Sequence, residues 1–167
     1  MGGDDPNTPV TDAAPRTLYV RRDVVNAAEI IAWAKGQGFK TTLPADDMHV
    51  TIAFSRAPVD WMKVGQSWDE EHTVAAGGPR IMEGLGANGE AKVLLFSNTE
   101  LQWRHEQMKR AGASWDWPEY QPHITISYDP DAPALDDIEP YAGRIVFGPE
   151  KFEEIDDEWR SKIKEDS

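Results

Sequence analysis

A six-residue pattern occurs twice in this 167-residue chain and constrains its fold more than any other feature. Residues 49–54 read HVTIAF and residues 123–128 read HITISY, with identical or similar residues at every position. Apolar residues alternating with His and Thr are typical of a strand with one buried face. A helix start, at Ala27 or Glu100, is predicted 22 or 23 residues before each histidine. The repeat therefore predicts an α+β fold in which one strand-helix-strand unit is used twice, with the central strands side by side.

The remaining elements follow from local patterns. Strands are predicted at 17–21, 48–54, 73–85 (one or two strands), 91–96, 123–128 and 144–147, and helices at 26–36, 60–64 and 99–111. Asn26 with Glu29 has the spacing of a capping box, and Gly36 and Gly38 favour the end of that helix. Ser97 or Thr99 is the predicted cap of the later helix.

Length and composition favour one compact domain, or two small lobes that share a core. We expect a flexible polar leader over 1–16, a bilobal domain over 17–160 with lobes of roughly 17–88 and 89–160, and a charged tail over 161–167. No apolar run approaches the roughly 18 residues that span a bilayer. The leader lacks the basic start and apolar stretch of a signal peptide, so a cytoplasmic location is expected. The absence of cysteine excludes disulfides and thiolate metal sites.

The charge balance restricts the class of ligand. Seventeen Lys and Arg against 30 Asp and Glu give a formal net charge of −13. Such a surface repels long polyanions, because affinity for nucleic acid depends largely on neutralised phosphates. A small phosphorylated ligand in a local pocket remains compatible, since salt screens surface charges beyond about 8 Å. We therefore expect no long nucleic acid and no membrane as partner.

The twin motif has the residues needed for phosphodiester chemistry. Side chains alternate along a strand, so His49 and Thr51 share one face, as do His123 and Thr125. Two facing imidazoles can act as general base and general acid, and the threonine hydroxyls can donate hydrogen bonds to non-bridging phosphate oxygens. One His-x-Thr on a strand is a weak signal, but a matched pair at duplicated positions favours catalysis.

A zinc site is the main alternative for paired histidines. The chain has no His-Glu-x-x-His stretch and no cysteine ligands, so no metal and no cofactor are expected. Two further histidines, His72 after an acidic run and His105 beside Glu106, are interpreted as surface residues.

The paired motifs resemble the signatures of the two-histidine phosphoesterase superfamily. Residues 17–20, 30–35, 46–53 and 58–61 resemble, more closely, the anti-CBASS phosphodiesterases of tailed bacteriophages, and the similarity extends over roughly 17–159. This resemblance implies a bilobal α+β fold with antiparallel sheets around a central groove. It also implies a cyclic di- or trinucleotide substrate, such as 3′,3′-cyclic GMP-AMP, destroyed in the cytoplasm of an infected bacterium.

The same resemblance implies a set of substrate-binding residues. Tyr19 and Trp159 are expected to stack on bases, and Glu153 (or the adjacent Glu154) to accept a hydrogen bond from an adenine amino group. The aromatic residues Trp68, Trp115 and Trp117 could also line the groove. The sequence leaves open which histidine begins as base, which cyclic nucleotide is preferred, and the oligomeric state.

Three other functions remain open at this point. The same chemistry could serve a 2′,3′-cyclic phosphodiesterase acting on RNA ends or on ADP-ribose cyclic phosphate. A protein that sequesters cyclic nucleotides without cleaving them is a second alternative, although it would need no pair of proton-transfer groups. A purely structural or interaction protein is the third.

Overall fold

The two copies of the motif lie in two different antiparallel sheets of the computed structural model, which describes residues 15–155. The strands are β1 (Arg16–Val24), β2 (His49–Val59), β3 (His72–Val74), β4 (Arg80–Leu85), β5 (Ala91–Phe96), β6 (His123–Ser127) and β7 (Ile145–Glu153). The helices are α1 (Ala27–Gln37), α2 (Trp61–Val64) and α3 (Thr99–Arg110), with short 3-10 turns at Ala45–Asp47 and Leu135–Asp137.

Both motif strands lie at sheet edges that meet. The first sheet has the order β2-β1-β7-β3 and the second the order β4-β5-β6. β2 and β6 are neighbours in space, and the Leu43 N–H donates to the Ile126 carbonyl at 2.8 Å. The prediction that the two central strands lie side by side is therefore confirmed, together with the α+β class, although the two strands belong to different sheets.

The core explains why the motif strands take this orientation. Val50, Ile52, Ile124 and Ile126 are fully buried, and they belong to one apolar cluster that spans both sheets. Burial of such a side chain stabilises the fold by roughly 1.5–3 kcal/mol. Since neighbouring residues of a strand point to opposite faces, burial of these four directs the histidines and threonines away from the core.

The sheets do not follow the simple order of the chain. The predicted boundary between the lobes lies after residue 88. β4 precedes this boundary but pairs with β5, which follows it, and β7 follows the boundary but pairs with β1 and β3, which precede it. The predicted boundary at 88 and 89 therefore does not coincide with the division between the sheets. Of the predicted leader and tail, 1–14 and 161–167 lie outside the described residues, and Arg16 already belongs to β1.

The helix ends differ in detail from prediction. Asn26 precedes α1 but makes no cap bond, and its side-chain oxygen accepts from the Val146 N–H at 2.9 Å. Gly38 ends this helix with a φ of 110°, in the left-handed region that favours glycine. The cap of α3 is Asn98, between the two predicted caps, and its Oδ1 accepts from the Leu101 N–H at 2.9 Å.

Candidate active site

The four motif side chains lie half-buried on the surface where β2 meets β6, which we call the groove. His49 and Thr51 alternate with the buried residues of β2, and His123 and Thr125 alternate in the same way on β6. β2 and β6 are in contact, so the two motifs lie beside each other. Burial is the main cause of the lowered pKa of His49, and the charge of His123 contributes in the same direction. The structure thus brings together the four residues predicted to be catalytic.

Each imidazole is anchored by the backbone two residues before it. His49 Nδ1 lies 2.8 Å from the Asp47 carbonyl oxygen, and His123 Nδ1 lies 3.0 Å from the Gln121 carbonyl oxygen. A carbonyl oxygen only accepts, so Nδ1 must carry the proton in both rings. In the neutral form this leaves Nε2 with a lone pair, and no described residue forms a hydrogen bond to either Nε2. Both rings are therefore prepared to exchange a proton with a ligand.

Burial lowers the pKa of both histidines. For His49, desolvation is the main cause, and the charge of Arg21 lowers the pKa further. For His123, desolvation is again the main cause. In each ring the hydrogen bond to a backbone carbonyl opposes this shift, because it stabilises the protonated form.

We expect both motif histidines to titrate below pH 6.5, their ordinary value. As pH falls through 6.5, these two histidines take up protons in the unfolded chain before they do so in the folded one. Their contribution to the free energy of unfolding is therefore present above pH 6.5 and is lost as pH falls towards the lower folded-state pKa values. A mechanism that uses one ring as base and the other as acid needs one neutral and one protonated ring, so the maximum of its kcat/KM profile should also lie below pH 6.5. Proton NMR titration of the imidazole C–H signals is the check, and midpoints at or above 6.5 would contradict it.

Tyr19 lies in the site but is buried. Its exposed fraction is 3%, and its ring meets that of His49 edge-on with centroids 6.4 Å apart. Burial raises its pKa to about 12, so the hydroxyl stays protonated. A ring with so little free face cannot stack on a base as predicted. The structure instead favours a role in positioning the His49 ring, which Tyr19 contacts edge-on.

The other two predicted binding residues have different outcomes. Glu153 is the β7 partner of Tyr19 and is half exposed, but Arg21 Nη1 already donates to its carboxylate. Trp159 lies outside the described residues. Of the further aromatic residues, Trp115 packs edge-on against His105 with centroids 4.6 Å apart, and Trp68 stacks on Trp103.

His105 is not the surface residue predicted from its sequence context. It lies on α3 with 2% exposure, and its Nδ1 is 2.7 Å from the Ile52 carbonyl oxygen. Tyr120 stacks on this ring, and its hydroxyl donates to the Thr51 carbonyl at 2.7 Å. His105 and Tyr120 therefore form hydrogen bonds with two consecutive backbone carbonyls of β2, those of Ile52 and Thr51. Both carbonyls belong to the motif, which lies in an edge strand of its sheet. Only a tertiary contact defines this role, so the sequence carried no signal for it.

His72 is also partly buried and pairs with Asn98 Oδ1 at 2.9 Å.

We expect Tyr120→Phe to lower the free energy of unfolding by about 1–3 kcal/mol, because it leaves a carbonyl without its donor. It should also lower kcat, since Thr51 loses support at its own backbone. Tyr141→Phe is the matched control, because its buried hydroxyl also donates to a backbone carbonyl, that of Arg144 at 2.8 Å. Urea unfolding and steady-state kinetics should show a stability loss in both variants and a lower kcat only at Tyr120. An equal fall in kcat would exclude a specific role.

Residues 15–155 contain no group of three or more His, Cys, Asp and Glu side chains placed to hold a metal ion. None of the helices in this stretch is both long and apolar enough to cross a bilayer.

The likeness to solved structures concerns the fold. Escherichia coli LigT in complex with NADP+ superimposes with a TM-score of 0.55 at 16% identity, over 85% of this chain and 96% of LigT. LigT in complex with ATP gives a TM-score of 0.50 at the same identity, over 86% and 96%. LigT is a two-histidine phosphoesterase, so the predicted fold class is confirmed.

Sequence comparison identifies the family. The family model described as "Anti-CBASS protein Acb1" matches residues 16–162. A protein of that name from Caulobacter sp. (strain RHG1) is 57% identical over 92% of this chain, and one from Acinetobacter phage Ac42 is 29% identical over 71% of this chain and 75% of its own length. The chain spans only 25% of the Caulobacter protein and of a similar one from Sphingomonas paeninsulae. The chain belongs to the anti-CBASS protein Acb1 family, and its described residues have the two-histidine phosphoesterase fold.

Proposed function

We propose that this chain is a metal-independent phosphodiesterase that hydrolyses 3′–5′ bonds of cyclic di- and trinucleotide signals, such as 3′,3′-cyclic GMP-AMP. The observation that carries the proposal is the pair of imidazoles anchored through Nδ1, with both Nε2 atoms unbonded among the described residues. Family membership supports the substrate class, because the relatives are named anti-CBASS proteins. The proposed cellular location of this reaction is the cytoplasm of an infected bacterium, where destruction of the cyclic nucleotide signal counters CBASS defence.

The proposed reaction has two steps. In the first, one imidazole takes the proton of a ribose 2′-hydroxyl, whose oxygen attacks the neighbouring phosphorus, and the other imidazole protonates the departing 5′-oxygen. In the second, the roles are exchanged: water attacks the 2′,3′-cyclic phosphate and the 2′-oxygen leaves with a proton. Thr51 and Thr125 donate hydrogen bonds to the non-bridging oxygens, where negative charge increases. The reaction balances with water as the sole co-reactant.

The net charge of −13 supports a small substrate over long RNA. A 2′,3′-cyclic phosphodiesterase acting on RNA ends would share the second step alone. A non-cleaving binder would share the groove but neither step.

The test is a cleavage assay with the full chain in excess EDTA. A panel of cyclic di- and trinucleotides and of 2′,3′-cyclic nucleotides is incubated with the protein, and products are separated by chromatography. We expect cyclic dinucleotides to be opened to linear products. Cleavage of 2′,3′-cyclic nucleotides alone would replace the proposal with end processing. Intact ligand released on denaturation would indicate sequestration, and loss of activity in EDTA with recovery on added metal would overturn metal independence.

A further inference from the structure

Four charged side chains form a row on the groove face of the first sheet. In order they are Lys151, Asp23, Arg21 and Glu153, and salt bridges join each to the next. Strand register places the row beside the motif, because Asp23 pairs with His49 and Arg21 pairs with Thr51. Directly opposed residues of an antiparallel pair have Cβ atoms about 4.5–5.5 Å apart and project to the same face.

Arg21 is the member of the row best placed to meet a ligand. Its Nε lies 3.2 Å from Asp23 Oδ1, and its Nη1 donates to Glu153 Oε1. Its third nitrogen, Nη2, forms no hydrogen bond within residues 15–155. The side chain keeps 21% exposure, and its charge reaches His49, whose pKa it lowers. A guanidinium fixed at two nitrogens loses little further conformational freedom when the third binds.

The second motif has no equivalent of this cation. On β5, the partners of His123 and Thr125 are Leu95 and Val93, both apolar. The repeat is therefore symmetric in its proton-transfer groups but asymmetric in charge. Among the strand partners of the motif residues, a substrate that carries two phosphates therefore meets a positive charge beside Thr51 and none beside His123 or Thr125.

We propose that Arg21 is a substrate-binding residue whose Nη2 donates a charge-assisted hydrogen bond to a phosphate oxygen of the bound nucleotide, beside Thr51. The inference rests on the function proposed above. Arginine matches phosphate geometry and stays charged at every relevant pH. Because Glu153 holds the same guanidinium, Asp23 and Glu153 act as positioning residues for this contact. Lys151 lies one strand further from the motif and is half exposed, so it makes no comparable contact.

The test compares Arg21→Gln with Lys151→Gln, which removes the same charge from the same row. Both are made in a His123→Ala background, so that ligand is not consumed, and Kd is measured by calorimetry at low and physiological salt. The probes are 3′,3′-cyclic GMP-AMP and adenosine, which has no phosphate. We expect Arg21→Gln to weaken cyclic GMP-AMP binding about 10- to 100-fold and to reduce its salt dependence. Lys151→Gln should change Kd less than about threefold, the limit for a screened surface charge, and adenosine binding should be unchanged in both.

Three results would overturn the inference: unchanged binding in Arg21→Gln, equal losses in the two variants, or an equal loss of adenosine. If Arg21→Gln does not fold, the Arg21 side-chain ¹⁵N signals are followed in the His123→Ala protein instead, and their failure to shift with cyclic GMP-AMP contradicts the contact. The proposed function is judged separately, from cleavage by the unaltered chain. If that chain cleaves no cyclic dinucleotide, the same binding comparison is made with 2′,3′-cyclic AMP.

Discussion

Alanine at His49 or at His123 is expected to lower kcat for phosphodiester cleavage by about 10²–10⁴-fold, the usual contribution of one general acid or base. The fold should tolerate either change, because each ring is half-buried and is anchored to a single carbonyl, that of Asp47 or Gln121. The melting temperature should therefore stay close to that of the parent. Since both rings serve the same step, the double variant should lose much less than the product of the single losses.

His72→Gln is the matched control for this experiment. Its ring is also partly buried and bonded, but to Asn98 at the start of α3 and not in the groove. Single-turnover cleavage, followed by chromatography, should place this variant within about twofold of the parent. A variant at His49 or His123 that retains a third of the parental kcat would contradict proton transfer at that position.

The repeated motif allowed the placement of its four polar side chains to be predicted because its information is local. A strand has a period of two, so burial of Val50 and Ile52 on one side directs His49 and Thr51 to the other, whatever the rest of the chain does. Local signals also located α1, which was predicted over 26–36 and ends at Gln37, one residue before Gly38 takes up a positive φ.

Features that depend on distant partners were not predictable in the same way. The sequence contains no sign that β7 inserts between β1 and β3, because strand order is decided by packing across the whole domain. His105 was misread for this reason: its hydrogen-bond acceptor, the Ile52 carbonyl, lies 53 residues away in sequence. Tyr19 was predicted to stack on a base, and it does lie beside His49, but its burial could not be inferred from a period-two pattern.

The largest loss of stability is expected from breaking the buried ion pair between Arg104 and Glu150. Arg104 on α3 is 2% exposed and Glu150 on β7 is fully buried, and Nε and Nη2 of the guanidinium each donate to a different carboxylate oxygen at 2.8 Å. Glu150 also accepts from the Trp68 N–H at 2.9 Å. Removal of one partner leaves an uncompensated buried charge, so Glu150→Gln should lower the free energy of unfolding by about 3–5 kcal/mol.

Urea unfolding of Glu150→Gln, Arg104→Met and the double variant forms a double-mutant cycle, which separates the interaction energy of the two side chains from the effect of each substitution on its other neighbours. The double variant should be more stable than the sum of the single losses predicts, because it buries no unpaired charge. Asp116→Asn is the control, since its bond to Arg56 is exposed to solvent and should contribute at most about 1 kcal/mol. A loss below 1 kcal/mol in Glu150→Gln would show that water replaces the lost partner.

This ion pair also connects stability with the chemistry of the groove. It fixes α3, the helix of the second half of the chain, to β7 in the sheet of the first motif. The same helix carries His105, which holds the Ile52 carbonyl of β2. In the folded fraction of Glu150→Gln, α3 should be held less firmly against β7, which should weaken the support of β2 by His105 and lower kcat. Asp116→Asn should leave kcat unchanged. A normal kcat in the destabilised variant would show that the edge of β2 keeps its position without α3.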